Sequence, residues 1–185
     1  MQVFWKNGYA ATSLDQIAEA TGLNRPSLYA AFGSKKDMYL TIVDRFADRM
    51  HTYLGAAGAR TTGVKPRLKF ILAAAIDLYT GQTELNGEPY GCLAISTLQT
   101  EAVQDAEFRE ALDAVIARMD KGIASLIRHE TQGSMGETEL KEAAQHLALI
   151  LHGLSIRARA GESPEVLKAL AESAVDKIVP TTSES

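Results

Sequence analysis

Apolar residues recur along this chain at three- and four-residue steps, and no segment shows the two-residue alternation of a half-buried strand. Leu14, Ile17 and Ala18 begin the series, and Leu28 and Phe32 follow at i, i+4. Met38, Ile42, Phe46 and Met50 make one stripe of a helix predicted over 35–54. Pro66 opens the next helix, whose buried side is Leu68, Ile71, Leu72, Ala75, Leu78 and Tyr79. A short helix is predicted from Gly91 to Val103. A long one from about Asp105 to Thr131 carries Phe108, Leu112, Val115, Met119, Ile123 and Leu126. Two more close the chain. Leu140, Ala144, Leu147, Leu151 and Leu154 line a helix from Glu137 to Ala160, and Leu167, Leu170, Ala174 and Ile178 line one that Ser163-Pro164-Glu165 starts and Pro180 stops. Breaks are expected at Gly55 to Gly63, Gly81 to Pro89, Gly133 to Gly136 and Gly161, with a frayed tail from Thr181 to Ser185. The expected fold class is all-α, without internal repeats.

The segment from Gly8 to Lys36 carries the densest local signals. Ser13 with Gln16 three residues on has capping-box spacing. Gly22 suits a left-handed turn, Leu23 is expected to bury there, and Asn24 can cap a second short helix with Pro26 in its first turn. With Leu28 and Phe32 facing inward, Arg25, Ser27, Tyr29 and Ala30 are left on the outer face, with Lys35 and Lys36 just beyond. Two short helices joined by a glycine turn form the motif whose second helix enters the DNA major groove. An ordinary helical hairpin also explains the caps, but not an outer face of Arg, Ser and Tyr.

This segment resembles the DNA-binding head of TetR-type transcriptional repressors. The matching residues are Phe4, Gly8-Tyr9, Thr12-Ser13, Ile17-Ala18, Gly22-Leu23, Ser27-Leu28-Tyr29, Phe32 and Ser34-Lys35. The later stretches Gly91-Cys92-Leu93 and Gly153-Leu154-Ser155 echo some subgroups of that family more faintly. The resemblance implies a helix-turn-helix head and connecting helix over 1–50, and a helical effector-binding and dimerisation body over 51–185. Met1 to Lys6 reads as the end of a first helix closed by Gly8, roughly two turns short of the family's usual first helix.

Candidate DNA-binding residues are Thr12, Ser13, Asn24, Arg25, Ser27, Tyr29 and Lys35. Arg25 can pair bidentately with guanine O6 and N7, or hold a phosphate. Ser27 and Ala30 are positioned for base edges. Thr12 and Ser13 lie at a helix N-terminus that suits a phosphate, although Ser13 can be a cap alone. By resemblance, Tyr29 donates its hydroxyl to a phosphate (the alternative is a packing ring) and Lys35 contacts another. Lys36 reads as an ordinary solvated lysine.

Charge distribution agrees with that division. The net charge is −4. Residues 1–36 nevertheless hold Lys6, Arg25, Lys35 and Lys36 against Asp15 and Glu19, a balance of +2, which leaves −6 on the rest. A locally positive head can meet phosphate while an acidic body stays off it. No leader segment and no membrane-length apolar run is found, and the single cysteine, Cys92, excludes an internal disulfide framework and suits a cytoplasmic location. His146 and His152 are six apart, off the i, i+4 spacing of two ligands on one face, and His51 and His129 lack clustered partners. Neither a metal nor a cofactor is expected.

In the body, the apolar stripes over 137–179 are expected to pack against a two-fold copy as a four-helix bundle, because a single head reads too few base pairs. The alternative is that this pair closes the monomer's own core. The resemblance implies a pocket for an unidentified small molecule among the middle helices, with Tyr79, Cys92 and Gln99 as ligand-binding candidates and Tyr90 and Glu101 as further polar groups. Cys92 stands at a helix N-terminus, where the dipole can lower a thiol pKa, or is simply a small buried residue. The implied function is ligand-responsive repression: a homodimer on a palindromic double-stranded DNA operator, released by a small molecule. An all-helical enzyme would need a nucleophile–base or carboxylate constellation, which is not found. A helical interaction protein without DNA binding is the other alternative.

Overall fold

The computed structural model describes residues 1–179. The predicted stop at Pro180 and tail from Thr181 to Ser185 lie outside them. Ten helices are present among the described residues, with no strand. Three short ones build the head: α1 (Gln2–Asn7), α2 (Leu14–Thr21) and α3 (Arg25–Phe32). The long α4 (Lys35–Gly58) leads into α5 (Val64–Tyr79), α6 (Leu93–Thr97), α7 (Gln99–Gln104), α8 (Ala106–Glu130), α9 (Glu137–Arg159) and α10 (Pro164–Ile178).

The caps form as the sequence predicts. Ser13 Oγ accepts from the Gln16 N–H at 3.2 Å while Gln16 Oε1 accepts from the Ser13 N–H at 2.8 Å. Gly22 takes φ 69°, ψ 10°, and Asn24 Oδ1 accepts from the Ser27 N–H at 2.9 Å. Leu23, expected to bury in this turn, is instead 43% exposed. The turn is closed by the left-handed Gly22 and by the Leu23 N–H donating to Thr21 Oγ1 (3.4 Å), so no apolar anchor is required.

Three other expectations shift. The Gly55–Gly63 break shrinks to residues 59–63, because α4 runs unbroken through residue 50 to Gly58. The single helix expected over 91–103 is two, α6 and α7, divided at Leu98. Thr97 Oγ1 donates back to the Leu93 carbonyl (2.6 Å), a bond of the kind that bends helices. The third concerns the C-terminal pair. Leu140, Ala144, Leu147, Leu151 and Leu154 of α9 and Leu167 of α10 are all buried within this one chain. The α9 stripe therefore closes the protomer's own core, where α9 packs between α8 and α10 and α10 also packs on α5. The apolar residues left outside belong to other faces: Leu149 and Ile156 on α9, Val166 and Leu170 on α10.

One core runs from head to body. Phe4, Trp5, Ile17 and Leu28 continue through Tyr39 and Phe46 to Leu68, Leu72, Ile76, Leu147 and Leu151. Burying each such side chain fully contributes about 1.5–3 kcal/mol, so head and body are stabilised together.

Candidate functional site

The outer face of α3 presents Ser27, Tyr29 and Ala30 to solvent, with Tyr29 51% exposed. Their exposure follows from the helix period, since Leu28 is the one buried residue of α3. Arg25, at the first position of α3, forks onto Asp15 of α2: Nε donates to Oδ1 at 2.7 Å and Nη2 to Oδ2. This bidentate pair lies in the open and ties the two helices of the motif together. The Arg25 guanidinium holds the Asp15 carboxyl below its usual range. Asn24 and Ser13 both spend a side-chain oxygen on a helix cap.

Two residues expected on phosphate are engaged inside the protein. Thr12 is buried, and its hydroxyl donates to the Gly8 carbonyl at 2.6 Å. That hydroxyl closes the turn after α1. Lys35 Nζ donates to the carbonyls of Tyr9 (3.0 Å) and Thr12 (2.9 Å) and lies 4.3 Å from the centre of the Tyr9 ring. Two of its three hydrogens thus fasten α4 to the α1–α2 turn. Lys36, expected to be free in solvent, also has partners. Its Nζ donates to both carboxylate oxygens of Asp105 (2.9 and 2.8 Å) and to Glu107 Oε1 (2.7 Å), joining the start of α4 to the start of α8.

The aromatic rings of Phe4, Tyr9, Tyr39 and Phe108 cluster where head meets body. Tyr39 meets the other three and Tyr9 meets Phe108 edge to face or tilted, with centroids 4.7–5.8 Å apart, and Phe4 stacks on Tyr9 at 6.4 Å. Trp5 packs edge-on against Phe46 at 4.8 Å and donates its Nε1–H to the Gly91 carbonyl at 3.1 Å. Arg159 of α9 reaches the same place, donating to the carbonyls of Trp5 (3.2 Å), Lys6 (3.1 Å) and Tyr90 (2.9 Å). Gly91 has φ +71°, and a Cβ there would fall 2.6 Å from the Ser155 carbonyl oxygen, so only glycine fits. The next N–H, of Cys92, donates to Ser155 Oγ at 2.8 Å.

A cavity of about 400 Å³ opens between α4, α5 and α8. Phe46, Leu68, Cys92 and Leu151 form its inner wall, and His51, Arg67, Arg118 and His129 are its basic lining residues. Of the three ligand-binding candidates, only Cys92 lines it. Gln99 is exposed on α7, and no residue of that helix lines this space. Tyr79 is fully buried in the core, where its hydroxyl has no oxygen or nitrogen partner and burial raises its pKa. Cys92 is itself an unactivated thiol. Burial pushes its pKa up to about 11, outweighing the backbone N–H groups of Ala94 and Ile95 at the start of a five-residue helix.

The family of this head is decided by its first 42 residues, which match the model of the tetR family of bacterial regulatory proteins. The head is of the TetR type. Likeness to HTH-type transcriptional regulators extends over the body. The transcriptional repressor ComR of Escherichia coli K12 is 29% identical over 174 residues, covering 92% of this chain and 81% of ComR. The repressor BdcR of the same organism is 26% identical over 177 residues, covering 95% of this chain and 83% of BdcR. Among solved structures, a cysteine mutant of the TetR-family regulator CifR, complexed with 26-bp double-strand operator DNA, superposes with a TM-score of 0.84. It shares 26% identity, covering 96% of this chain and 92% of that one. The chain is thus a DNA-binding transcriptional regulator with a helix-turn-helix head and a helical body.

Within the TetR-type head, the sequence correctly marked the exposed face of α3 and its caps. It missed Trp5, Lys36 and Arg159, whose partners are 69 to 154 residues away in the chain. Nothing local signals such bonds. The lone tryptophan, however, is a large residue with one donor, which usually finds a partner when buried. Among the described residues no helix is long and apolar enough to cross a membrane, and no group of three His, Cys, Asp or Glu could hold a metal.

Proposed function

We propose that this regulator is a ligand-responsive repressor that binds a palindromic operator as a homodimer and leaves it when a small molecule fills the body. The observation that carries this reading is the position of Trp5. Its ring packs on Phe46, a wall of the cavity, and its indole N–H holds Gly91, next to the cavity residue Cys92. A ligand that shifts either wall acts directly on α1 of the head. If it prefers the conformation in which the heads are wrongly spaced, operator affinity falls, and DNA lowers ligand affinity by the same factor. Coupling of roughly 1–3 kcal/mol corresponds to about 5- to 150-fold release.

Arg25, Ser27 and Tyr29 are the proposed groups that meet DNA, with Arg25 exchanging Asp15 for a base edge or phosphate. Asn24 and Ser13 act through the caps that fix the entry of each helix. The dimer forms through the outer faces of α9 and α10, where Leu149, Ile156, Val166 and Leu170 remain exposed in the protomer. A two-fold copy presents the same patch and buries them. The name of ComR, a repressor, supports the direction of control. The test is operator affinity with and without candidate ligands, together with sedimentation. A monomer at micromolar concentration, or operator binding that no ligand alters, would overturn the reading.

A further inference from the structure

We infer that the cavity takes an amphipathic organic anion, an apolar tail carrying one carboxylate, and that Arg118 recognises the charge. This rests on reading the cavity as the effector site. Its wall is apolar except for a few groups, and every charged or titratable nitrogen in it is basic: His51, Arg67, Arg118 and His129. No Asp or Glu side chain lines it. A cationic ligand would therefore find no counter-charge in the wall.

The two arginines are not equivalent. Arg67 is committed to structure, its Nε donating to the Gly58 carbonyl (3.1 Å) and its Nη1 to Glu130, which also accepts from the Gly63 N–H (2.7 Å). Together these bonds close the connection between α4 and α5, and Glu130 is itself largely buried. Arg118 makes one bond, from Nη2 to Asp48 Oδ1 at 2.6 Å, out of the five N–H donors a guanidinium offers. Asp48 is 63% exposed as a side chain, so this is a surface pair of the kind that contributes little to stability. A ligand carboxylate at the cavity mouth can take the guanidinium bidentately while Asp48 returns to water. Its tail then runs along Met119, Met50 and Phe46 toward Leu68, Cys92 and Leu151. A bidentate pair replaces a single bond to an exposed carboxylate, and the apolar wall is covered as well. A neutral ligand gains only the second term.

The probes are decanoate, 1-decanol and decyltrimethylammonium, titrated by calorimetry into the wild-type protein, Arg118→Gln and Asp48→Asn. Decanoate should bind wild type roughly ten- to hundred-fold more tightly than decanol, the scale of a hydrogen bond to a charged group, and the ammonium more weakly than either. Arg118→Gln should bring decanoate down to the level of decanol. Asp48→Asn, which removes the competing carboxylate, should raise the decanoate-to-decanol ratio. A merely structural ion pair would shift all three ligands together in both variants, and that result overturns the assignment. If decanol binds and releases operator but decanoate does not exceed it, the anion class fails while the effector cavity stands. If none of the three binds, both fail.

Discussion

The indole N–H of Trp5 and the carbonyl of Gly91 meet at 3.1 Å across 86 residues of sequence, binding the head's first helix to the positive-φ glycine beside the cavity. Trp5→Phe keeps an aromatic ring against Phe46 but leaves a buried carbonyl unpaired. The expected cost is about 1–3 kcal/mol of stability. Beyond that cost, the ratio of operator affinities without and with ligand should fall toward unity, because the cavity wall no longer pulls on α1. An undiminished ratio in a folded Trp5→Phe protein would reduce the bond to a structural one.

Lys35 and Arg25 should separate in a salt titration. Lys35→Ala loses the clasp on Tyr9 and Thr12, so it should lower the melting temperature while leaving the slope of log affinity against log salt unchanged. A slope reduced by about one unit would instead assign the lysine to a phosphate. Arg25→Ala should weaken operator binding by about tenfold or more, and relax preference at one position per half-site if the guanidinium reads a base.

Leu151 and Leu170 make opposite predictions although both lie on apolar stripes. Leu151 is buried inside the protomer, so Leu151→Glu should unfold it. Leu170 is 44% exposed, so Leu170→Glu should yield a folded protein that sediments near 20.0 kDa where wild type sediments at roughly twice that. Circular dichroism alongside sedimentation separates the two outcomes. A folded Leu170→Glu dimer would move the interface elsewhere.

His152 supplies a pH signature. Its Nε2 is buried without a partner, and burial lowers its pKa from the usual 6.5, more than the nearby Asp120 raises it. The unfolded chain therefore takes up this proton before the folded one does, and its contribution to stability is present above about pH 6.5 and lost as pH falls below. Denaturant midpoints should decline between pH 7 and 5.5 in wild type and decline less in His152→Gln. Carboxylates held low by ion pairs, Asp105 and Glu130 among them, lose their contribution only below about pH 4.5. An identical decline in the variant would remove His152 from the effect.

The sequence made the helices legible because their signals are local: Ser13 with Gln16, Gly22 with Asn24, and the apolar steps from Met38 to Met50. The outer face of α3 followed from the same period. What escaped were choices made by distant partners. Lys35 and Arg25 look alike as exposed cations, yet Lys35 is drawn onto two carbonyls while Arg25 stays in the open. Tyr79 and Cys92 are both polar residues of the middle body, but only one of them reaches the cavity. The α9 stripe suggests a dimer face in sequence because periodicity tells that a face is buried, not what buries it. Here α5, α8 and α10 bury it.

That last feature bears on gene dosage. Since Leu140, Leu147, Leu151 and Leu154 are spent inside one subunit, each chain has a core of its own, and on that ground it should fold before it pairs. In the proposed dimer, assembly is then a separate equilibrium that follows protein concentration. When copies are scarce, the number of paired heads falls with roughly the square of the copy number, as mass action requires. The operator would be released by dilution as well as by ligand, so the cell's expression level of this regulator becomes a second input to the switch.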